Sequence, residues 1–537
     1  MHLFLLQHDP VPGNFHSNAL QLADMARRAA ALCPPSSGER TLCLTPAYAL
    51  AGVPWDSLKH IGGFYSRCRQ AARELAERLK DGPDMLLSLT GAEVPLYVLL
   101  RQGNLSPVTR KANGLLSIPD GPTFYLPEND PAWAHQEAML NLKSSRTASA
   151  ADAMLFTTPD YFQPDAQEQR EMHYSALAQM WNMPVIAVQQ TGATDSLIYA
   201  GQSCVLNKLG EMTSRAEAFR PAILSVELGR KTVSAEALPC EEKSSAPEAV
   251  SPVPEHLESL FRAAVLGIRD YVHKSGMNGV VLGLSGGMDS ALVACLAAEA
   301  LGPQNVLAVL MPSPWSSGHS RTDAALLARN LGIETRTVDI GAVMNAFDQT
   351  LAPAFAGLPS QTNDLTADNL QPRIRGVLLM AFANRMGRVV LATGNKSEIA
   401  VGYCTLYGDT VGALEPIGDL YKTEVYRVAR WYNTAKNREI IPENIFSKAP
   451  SAELHPGQVD QDSLPPYELL DATLFQLLEN GANAETLVMP GCDEKTVRDI
   501  VRLLNIAEFK RHQGAPILKL SSCTFGVDRQ LPTATRI

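Results

Sequence analysis

The sequence predicts an α/β fold in two domains, and three observations carry that reading. The chain has 537 residues, well past the roughly 100–200 of one ordinary domain. Apolar runs of strand length alternate with stretches of helical periodicity along most of it. A Ser-, Ala-, Pro- and Glu-rich stretch, RKTVSAEALPCEEKSSAPEAVSPVP, interrupts that alternation from residue 230 onward. Residues 233–254 are therefore expected to link domains at 1–232 and 255–537.

Before the linker, LFLLQ, TLCLT, MLLSLT, AMLFTT and PVIAVQQ read as strands, with SNALQLADMARRAAAL and SRCRQAARELAERLK as helices. After it the succession is cleaner: HLESLFRAAVLGIRDYVHKSG as helix, GVVLGL as strand, ALVACLAAEALG as helix, NVLAVLM as strand. That order predicts an open, doubly wound parallel sheet with helices on both faces.

Composition narrows the function. Hydrophobic residues make up 45% and charged residues 19%, which is globular and excludes a largely disordered or fibrous chain. The 46 basic and 56 acidic side chains leave a net charge of −10. That balance argues against an extended nucleic-acid surface while allowing a local basic pocket for a phosphorylated small molecule. Nine scattered cysteines include no CxxC pair or Cys/His cluster, so neither zinc nor a disulfide framework is expected. The opening MHLFLLQHDP lacks the basic start of a signal peptide, and no run of about eighteen apolar residues occurs. The expectation is a soluble, cytoplasmic protein without a nucleic-acid or membrane partner.

The strongest local feature is GLSGGMDS, residues 283–290, between the strand GVVLGL and the helix starting ALVACL. Gly286 and Gly287 remove Cβ atoms where backbone must wrap a phosphate, and the first helical N–H groups point at the anion. Ser285 and Ser290 add hydroxyl donors, and Asp289 can hold Mg²⁺. No GxxxxGK[ST] is present, so this is not a Walker loop. A plain Gly-Gly turn capped by an acid and two serines remains open on the loop alone.

SGGMDS resembles the SGGxDS loop of the ATP pyrophosphatases, which cleave ATP between the α- and β-phosphates and adenylate their substrate. Four further segments resemble the NAD synthetases within that group: NLQPRIRGVLLMAFANRMG, LATGNKSEIAVGYCTLYGDTVGALEPIGDLYKTEVYRVARWYN, KAPSAELHPGQVDQDSLPPYELLD and EFKRHQGAPILKLSSCTFGVDR. The match covers essentially all of residues 255–537 and implies an ATP pyrophosphatase domain with Mg²⁺ as cofactor and ATP as co-substrate. It places Gly283, Leu284, Ser285, Gly286, Gly287, Met288, Asp289 and Ser290 on ATP, with Thr393, Lys422 and Ser451. It places Asn369, Arg373, Glu398, Asp409 and Lys510 on deamido-NAD, and makes Asp289 and Glu398 the metal pair. Arg375 offers a second cation beside Arg373, with a solvated helix face as the other reading for both. His512 stands where a basic residue is more usual.

Residues 1–230 resemble, less closely, the nitrilase-like amidase domain that glutamine-dependent NAD synthetases carry ahead of the synthetase, an α-β-β-α sandwich. LFLLQHDPVPGNFHSNA is similar to its opening and MPVIAVQQTGATDSLIYAGQSCVLNKLGEM to its late strands. Such domains hydrolyse glutamine with a Glu base, a Lys and a Cys nucleophile. The Glu segment falls on TPAYALAGV, leaving Ala47 at the carboxylate position; Lys111 matches the lysine; no cysteine lies between Cys68 and Cys204. Without base and thiolate no thioester can form, so this half is expected to be an inactive amidase.

The resemblance implies amidation of deamido-NAD to NAD through an adenylate, with ammonia as the direct donor, supplied freely or by a separate source. A rearranged but working glutaminase and amidation of nicotinate mononucleotide are the alternatives. A homo-oligomer, a dimer through the synthetase halves or a higher assembly, is implied as well.

Overall fold

Every residue of the first strand, His2–Gln7, is buried, so its alternating side chains must fill two cores, one on each face. The computed structural model describes residues 1–34, 40–53, 58–89, 96–127, 150–157, 159–229, 232–240, 248–359 and 364–535. The chain divides into two compact units, Met1–Glu255 and His256–Ile537.

The first unit runs β1 (His2–Gln7), α1 (Phe15–Leu32), β2 (Thr41–Leu44), α2 (Phe64–Arg78), β3 (Asp84–Leu89), β4 (Leu96–Arg101), β5 (Asn104–Val108), β6 (Leu115–Ser117), β7 (Thr123–Tyr125) and β8 (Ala153–Phe156). It continues with α3 (Ala166–Trp181), β9 (Val185–Ala187), β10 (Thr191–Thr194), β11 (Leu197–Ala200), β12 (Cys204–Leu206), β13 (Met212–Arg215), β14 (Ala222–Gly229) and β15 (Thr232–Leu238). One sheet has the order β15-β14-β1-β2-β3-β4-β5, a second β13-β12-β9-β8-β7-β6, and β10 pairs with β11.

Three cores order these elements into layers. Leu3, Leu5 and Leu42 of the first sheet pack with Phe124, Leu155 and Ile186 of the second. On the other face of the first sheet, Phe4 and Leu6 pack with Leu22 of α1 and Leu75 of α2. On the outer face of the second, Phe156 and Val185 pack with Tyr174 and Leu177 of α3. The result is an α-β-β-α sandwich. The stretch read as linker is partly structured: Thr232–Leu238 pairs antiparallel with β14 from Thr232↔Gly229 to Leu238↔Ile223. Its small and polar residues suit a half-exposed edge strand rather than free chain. Residues 241–247 of the expected linker lie outside the described residues.

The second unit runs α4 (His256–Lys274), β16 (Val280–Gly283), α5 (Met288–Leu301), β17 (Val306–Leu310), α6 (Gly318–Leu331), β18 (Glu334–Thr337), α7 (Gly341–Phe355), α8 (Thr366–Met386) and β19 (Val389–Leu391). Then come α9 (Lys396–Val401), α10 (Lys422–Ala435), α11 (Glu443–Ser447), α12 (Tyr467–Leu478), α13 (Glu494–Ile506) and α14 (Glu508–Arg511). The sheet order is β18-β17-β16-β19, and every pairing is parallel. Chain direction across the sheet therefore reverses between β16 and β19, and the crevice beyond the carboxyl ends of those strands is where such a sheet binds ligands. Val281, Val309 and Val390 face Ile374 and Leu379 of α8. Among the described residues no helix is long and apolar enough to cross a membrane.

Helix α9 leaves β19 at this crevice, and a buried charge network pins it. The Lys396 ammonium is wholly buried; it pairs with Asp419 at 3.0 Å and Glu479 at 2.5 Å. It also donates to Ser521 Oγ (2.7 Å) and the Cys523 carbonyl (2.9 Å). Asp419 accepts from the Leu520 and Ser521 amides and the Thr524 hydroxyl. Replacing Lys396 with Met strands two buried carboxylates and is expected to destabilise the chain by about 3–5 kcal/mol, read as a lowered urea midpoint.

Candidate active site

A cavity of about 640 Å³ opens where the sheet reverses, lined by the ends of β16, β17 and β19 and by the segments that follow them. At β16 the chain turns through Ser285–Gly287 into α5. Gly286 adopts φ +83°, and a Cβ there would stand 2.3 Å from the Ser320 carbonyl oxygen. Only glycine fits, which places this residue's Cα against α6 and outside the lining while its neighbours Ser285 and Gly287 face the cavity. Ser285 Oγ accepts from the Gly287 amide (3.1 Å) and lies 3.0 Å from Ser290 Oγ. The α5 N-cap, Gly287, offers no side-chain partner to the first-turn N–H groups, which gives the loop the form of an anion cradle.

Asp289, in the first turn of α5, meets two residues from elsewhere in the chain. Its Oδ2 accepts from Lys422 Nζ at 2.5 Å and its Oδ1 from Asn395 Nδ2 at 3.0 Å. Lys422 Nζ also donates to Glu398 Oε1 at 3.1 Å. One ammonium thus bridges the two carboxylates expected to hold a metal. Burial pushes the Glu398 carboxyl well above the usual range, opposed by Lys422 and reinforced by Asp289. Burial acts against the Lys422 ammonium, but Asp289 and Glu398 outweigh it and hold its pKa up. Asp460 lies in the same wall; its Oδ2 accepts from the Tyr467 hydroxyl at 2.9 Å.

Farther along the cavity, Thr405 links two expected substrate residues, donating its hydroxyl to Asn369 Oδ1 (2.9 Å) and its amide to Asp409 Oδ1 (2.7 Å). Lys510 Nζ donates to the Gly402 and Cys404 carbonyls, both at 2.7 Å, bracing the same segment. Ser451 Oγ donates to the Gln458 carbonyl at 2.6 Å. Beside it Lys448 donates to Ser320 Oγ and, at 2.7 Å, to Glu453 Oε1, adding a cation that the sequence reading missed.

The chain matches the NAD synthase family over residues 260–514. A glutamine-dependent NAD(+) synthetase from Acinetobacter baylyi is 32% identical over 548 residues, spanning 98% of this chain and 97% of that protein. The chain belongs to the glutamine-dependent NAD(+) synthetase family. A Synechocystis synthetase of the same name is 46% identical over 367 residues, which are 68% of this chain and 63% of that one. The glutamine-dependent NAD+ synthetase of Acinetobacter baumannii, solved with ADP, has a TM-score of 0.71 at 29% identity, covering 99% of this chain and 98% of that one.

Within this synthetase fold, Leu284, Met288, Ser290, Thr393, Glu398, Lys422, Ser451, Asn369, Asp409 and Lys510 all line one cavity, as does Gly283 at its edge. Arg373 does not: it is exposed and donates Nε to the Leu406 carbonyl at 3.2 Å. Two residues on, about 200° around the helix, Arg375 turns inward, lines the cavity and donates to the Met311 carbonyl. His512 Nε2 is 2.8 Å from the Leu531 carbonyl, outside the lining.

In the first unit Ala47 is 3% exposed, and its amide donates to the Thr157 carbonyl at 2.7 Å. Lys111 is exposed. Strand β7, downstream of it, ends at Tyr125 and continues through Leu126 and Pro127, with no thiol there; residues 128–149 lie outside the described residues and contain no cysteine. Burial raises the Cys204 thiol to about 12 and the Cys43 thiol further, so neither is a ready thiolate at neutral pH.

Burial lifts the Asp409 carboxyl from 3.8 to about 6, although the Thr405 amide, Lys510 and Arg375 all pull it down. Between those values the folded chain holds a proton here that the unfolded chain has released. This group's contribution to stability is thus full below 3.8 and falls as pH rises through about 6. An Asp409→Asn chain should lose that slope, seen as urea midpoints that differ less between about pH 4 and pH 7 than those of the parent.

Proposed function

We propose that this chain makes NAD by amidating deamido-NAD, driven by cleavage of ATP to AMP and pyrophosphate. The observation that carries the reading is the Asp289–Lys422–Glu398 bridge beside the glycine loop, at the reversal point of the sheet. A carboxylate oxygen leaves poorly, so the nicotinate carboxylate must first attack the α-phosphate of ATP, releasing pyrophosphate and giving the acyl adenylate. Ammonia then adds to the acyl carbon and AMP departs. No side-chain nucleophile is needed. The loop amides, the Ser285 and Ser290 hydroxyls and the Lys422 ammonium oppose the charge that builds on the phosphates.

Asp289 and Glu398 are two hard oxygen donors, and among the described residues no third His, Cys, Asp or Glu completes a protein-only metal site. That donor set fits Mg²⁺, which binds through one or two carboxylates plus substrate phosphates. Bound there it would neutralise phosphate oxygens.

On nitrogen supply, the relatives' names favour glutamine over the free ammonia that the sequence reading puts first. Ala47, the absent thiol and the buried Cys43 and Cys204 support ammonia as a second reading for this chain. Self-association finds support on α7 and α8. No described residue of α7 is buried, and it exposes Val343, Phe347 and Phe355. On α8, Val377 is 70% exposed. Apolar helix faces of this kind mark association surfaces.

The test is NAD formation by the purified chain from deamido-NAD and ATP, with ammonium or with glutamine and with nicotinate mononucleotide as the competing acid. Pyrophosphate release should require the acid substrate, and Lys422→Met should lower it on the order of 100-fold or more. Equal use of glutamine and ammonium supports the glutamine reading; use of ammonium alone supports the second.

A further inference from the structure

The geometry points to Asn395 as a positioning residue for the adenylation step, a role that rests on the function proposed above. Asn395 is fully buried and is the N-cap of α9, its Oδ1 accepting from the Glu398 amide at 3.1 Å. A backbone N–H can only donate, so that bond fixes which end of the Asn395 amide is oxygen. The Nδ2 end is then aimed at Asp289, 3.0 Å from Oδ1, and an ionised carboxylate can only accept. One amide therefore does two things. It fixes the helix turn that carries Glu398, and it occupies one oxygen of Asp289 so that the other faces Lys422.

The sequence Asn395-Lys396-Ser397-Glu398 has the spacing of a capping box, in which the third residue's side chain returns to the cap amide. Here that return is not made, and Glu398 Oε1 takes the Lys422 ammonium instead. Asn395 carries the cap by itself, which frees the Glu398 carboxylate for the cavity. The choice of residue follows from the two bonds. Aspartate or serine caps a helix about as well as asparagine. Aspartate would put a carboxylate against Asp289, and serine has a single proton and too short a reach to serve both partners. Asparagine accepts at one end and donates at the other.

Lys396, the next residue, anchors α9 through Asp419 and Glu479. The helix is thus held independently of Asn395, and a substitution that keeps the cap without adding a charge should leave the fold in place. Asn395→Ser and Asn395→Asp keep the cap acceptor and remove the donor to Asp289. Three quantities are measured on the full chain: thermal midpoint, deamido-NAD-dependent ATP–pyrophosphate exchange across a Mg²⁺ series, and Mn²⁺ binding by titration calorimetry with ATP present.

Asn395→Ser should keep a midpoint close to the parent's, whereas Asn395→Asp, which buries a second carboxylate against Asp289, should lower it. Asn395→Ser should bind Mn²⁺ more weakly and exchange more slowly, on the order of 10- to 100-fold, the range for a lost hydrogen bond to a charged group. Raised Mg²⁺ should restore part of the exchange in Asn395→Ser and less in Asn395→Asp. Parental Mn²⁺ affinity and exchange in Asn395→Ser would overturn the proposal, as would losses in that variant that track a fallen midpoint and ignore Mg²⁺. Absence of exchange in the parent chain would sink the adenylation reading itself.

Discussion

A single ammonium, that of Lys422, stands between Asp289 and Glu398 and joins three elements that are far apart in the chain. Asp289 opens α5, Glu398 lies in the first turn of α9, and Lys422 opens α10. Two like charges at close quarters would repel, and the cation between them makes their approach favourable. The surroundings fix the geometry: the Lys422 amide donates to Ser397 Oγ, and Ser397 Oγ in turn donates to Asp471. Asp471 also accepts from the Thr423 amide. The starts of α9 and α10 are therefore tied by hydrogen bonds as well as charge. The parallel sheet supplies the rest, because β16 and β19 are neighbours whose carboxyl ends release both turns into one crevice.

The chemistry-bearing residue types were legible because each chemistry demands them at particular places. A loop that wraps phosphate must be small, so Gly286 and Gly287 stand out; a hard cation needs oxygen, so Asp289 and Glu398 do. Residues that act through others left weaker marks. Asn395 carried a readable signal, an asparagine three residues before a glutamate, but the glutamate drew attention to itself as a ligand. Lys396 has no local partner in the sequence; Asp419, Glu479, Ser521 and Cys523, all distant from it along the chain, satisfy its ammonium. Between Arg373 and Arg375 the sequence offered two cations, and only the phase of α8 decided which faces the cavity.

The strand pattern was legible where strands are buried on both faces, as in β1, β16 and β17. It failed at β15, where Thr232–Leu238 has the composition of a linker yet is held by seven residues of pairing to β14. Backbone ladders satisfy N–H and C=O groups whatever the side chains are. An edge strand with one face in solvent needs little apolar content, so composition alone cannot tell it from loose chain.

The first unit shows the same separation between fold and chemistry from the opposite direction. Its layers are held by Leu3, Phe4, Leu155, Val185 and their partners, none of which is a base or a nucleophile. An alanine at position 47 costs this architecture nothing: it is buried, and the backbone tie to Thr157 uses only its amide. A carboxylate in so buried a place would need donors to offset its desolvation, a demand that alanine does not make. The synthetase unit is different, because Lys422, Asp289 and Glu398 balance one another's charge and removing one leaves the others exposed to the full penalty of burial. Side chains woven into a charge network thus carry stability as well as any chemistry they perform, whereas the sandwich of the first unit rests on apolar contacts and backbone ties alone.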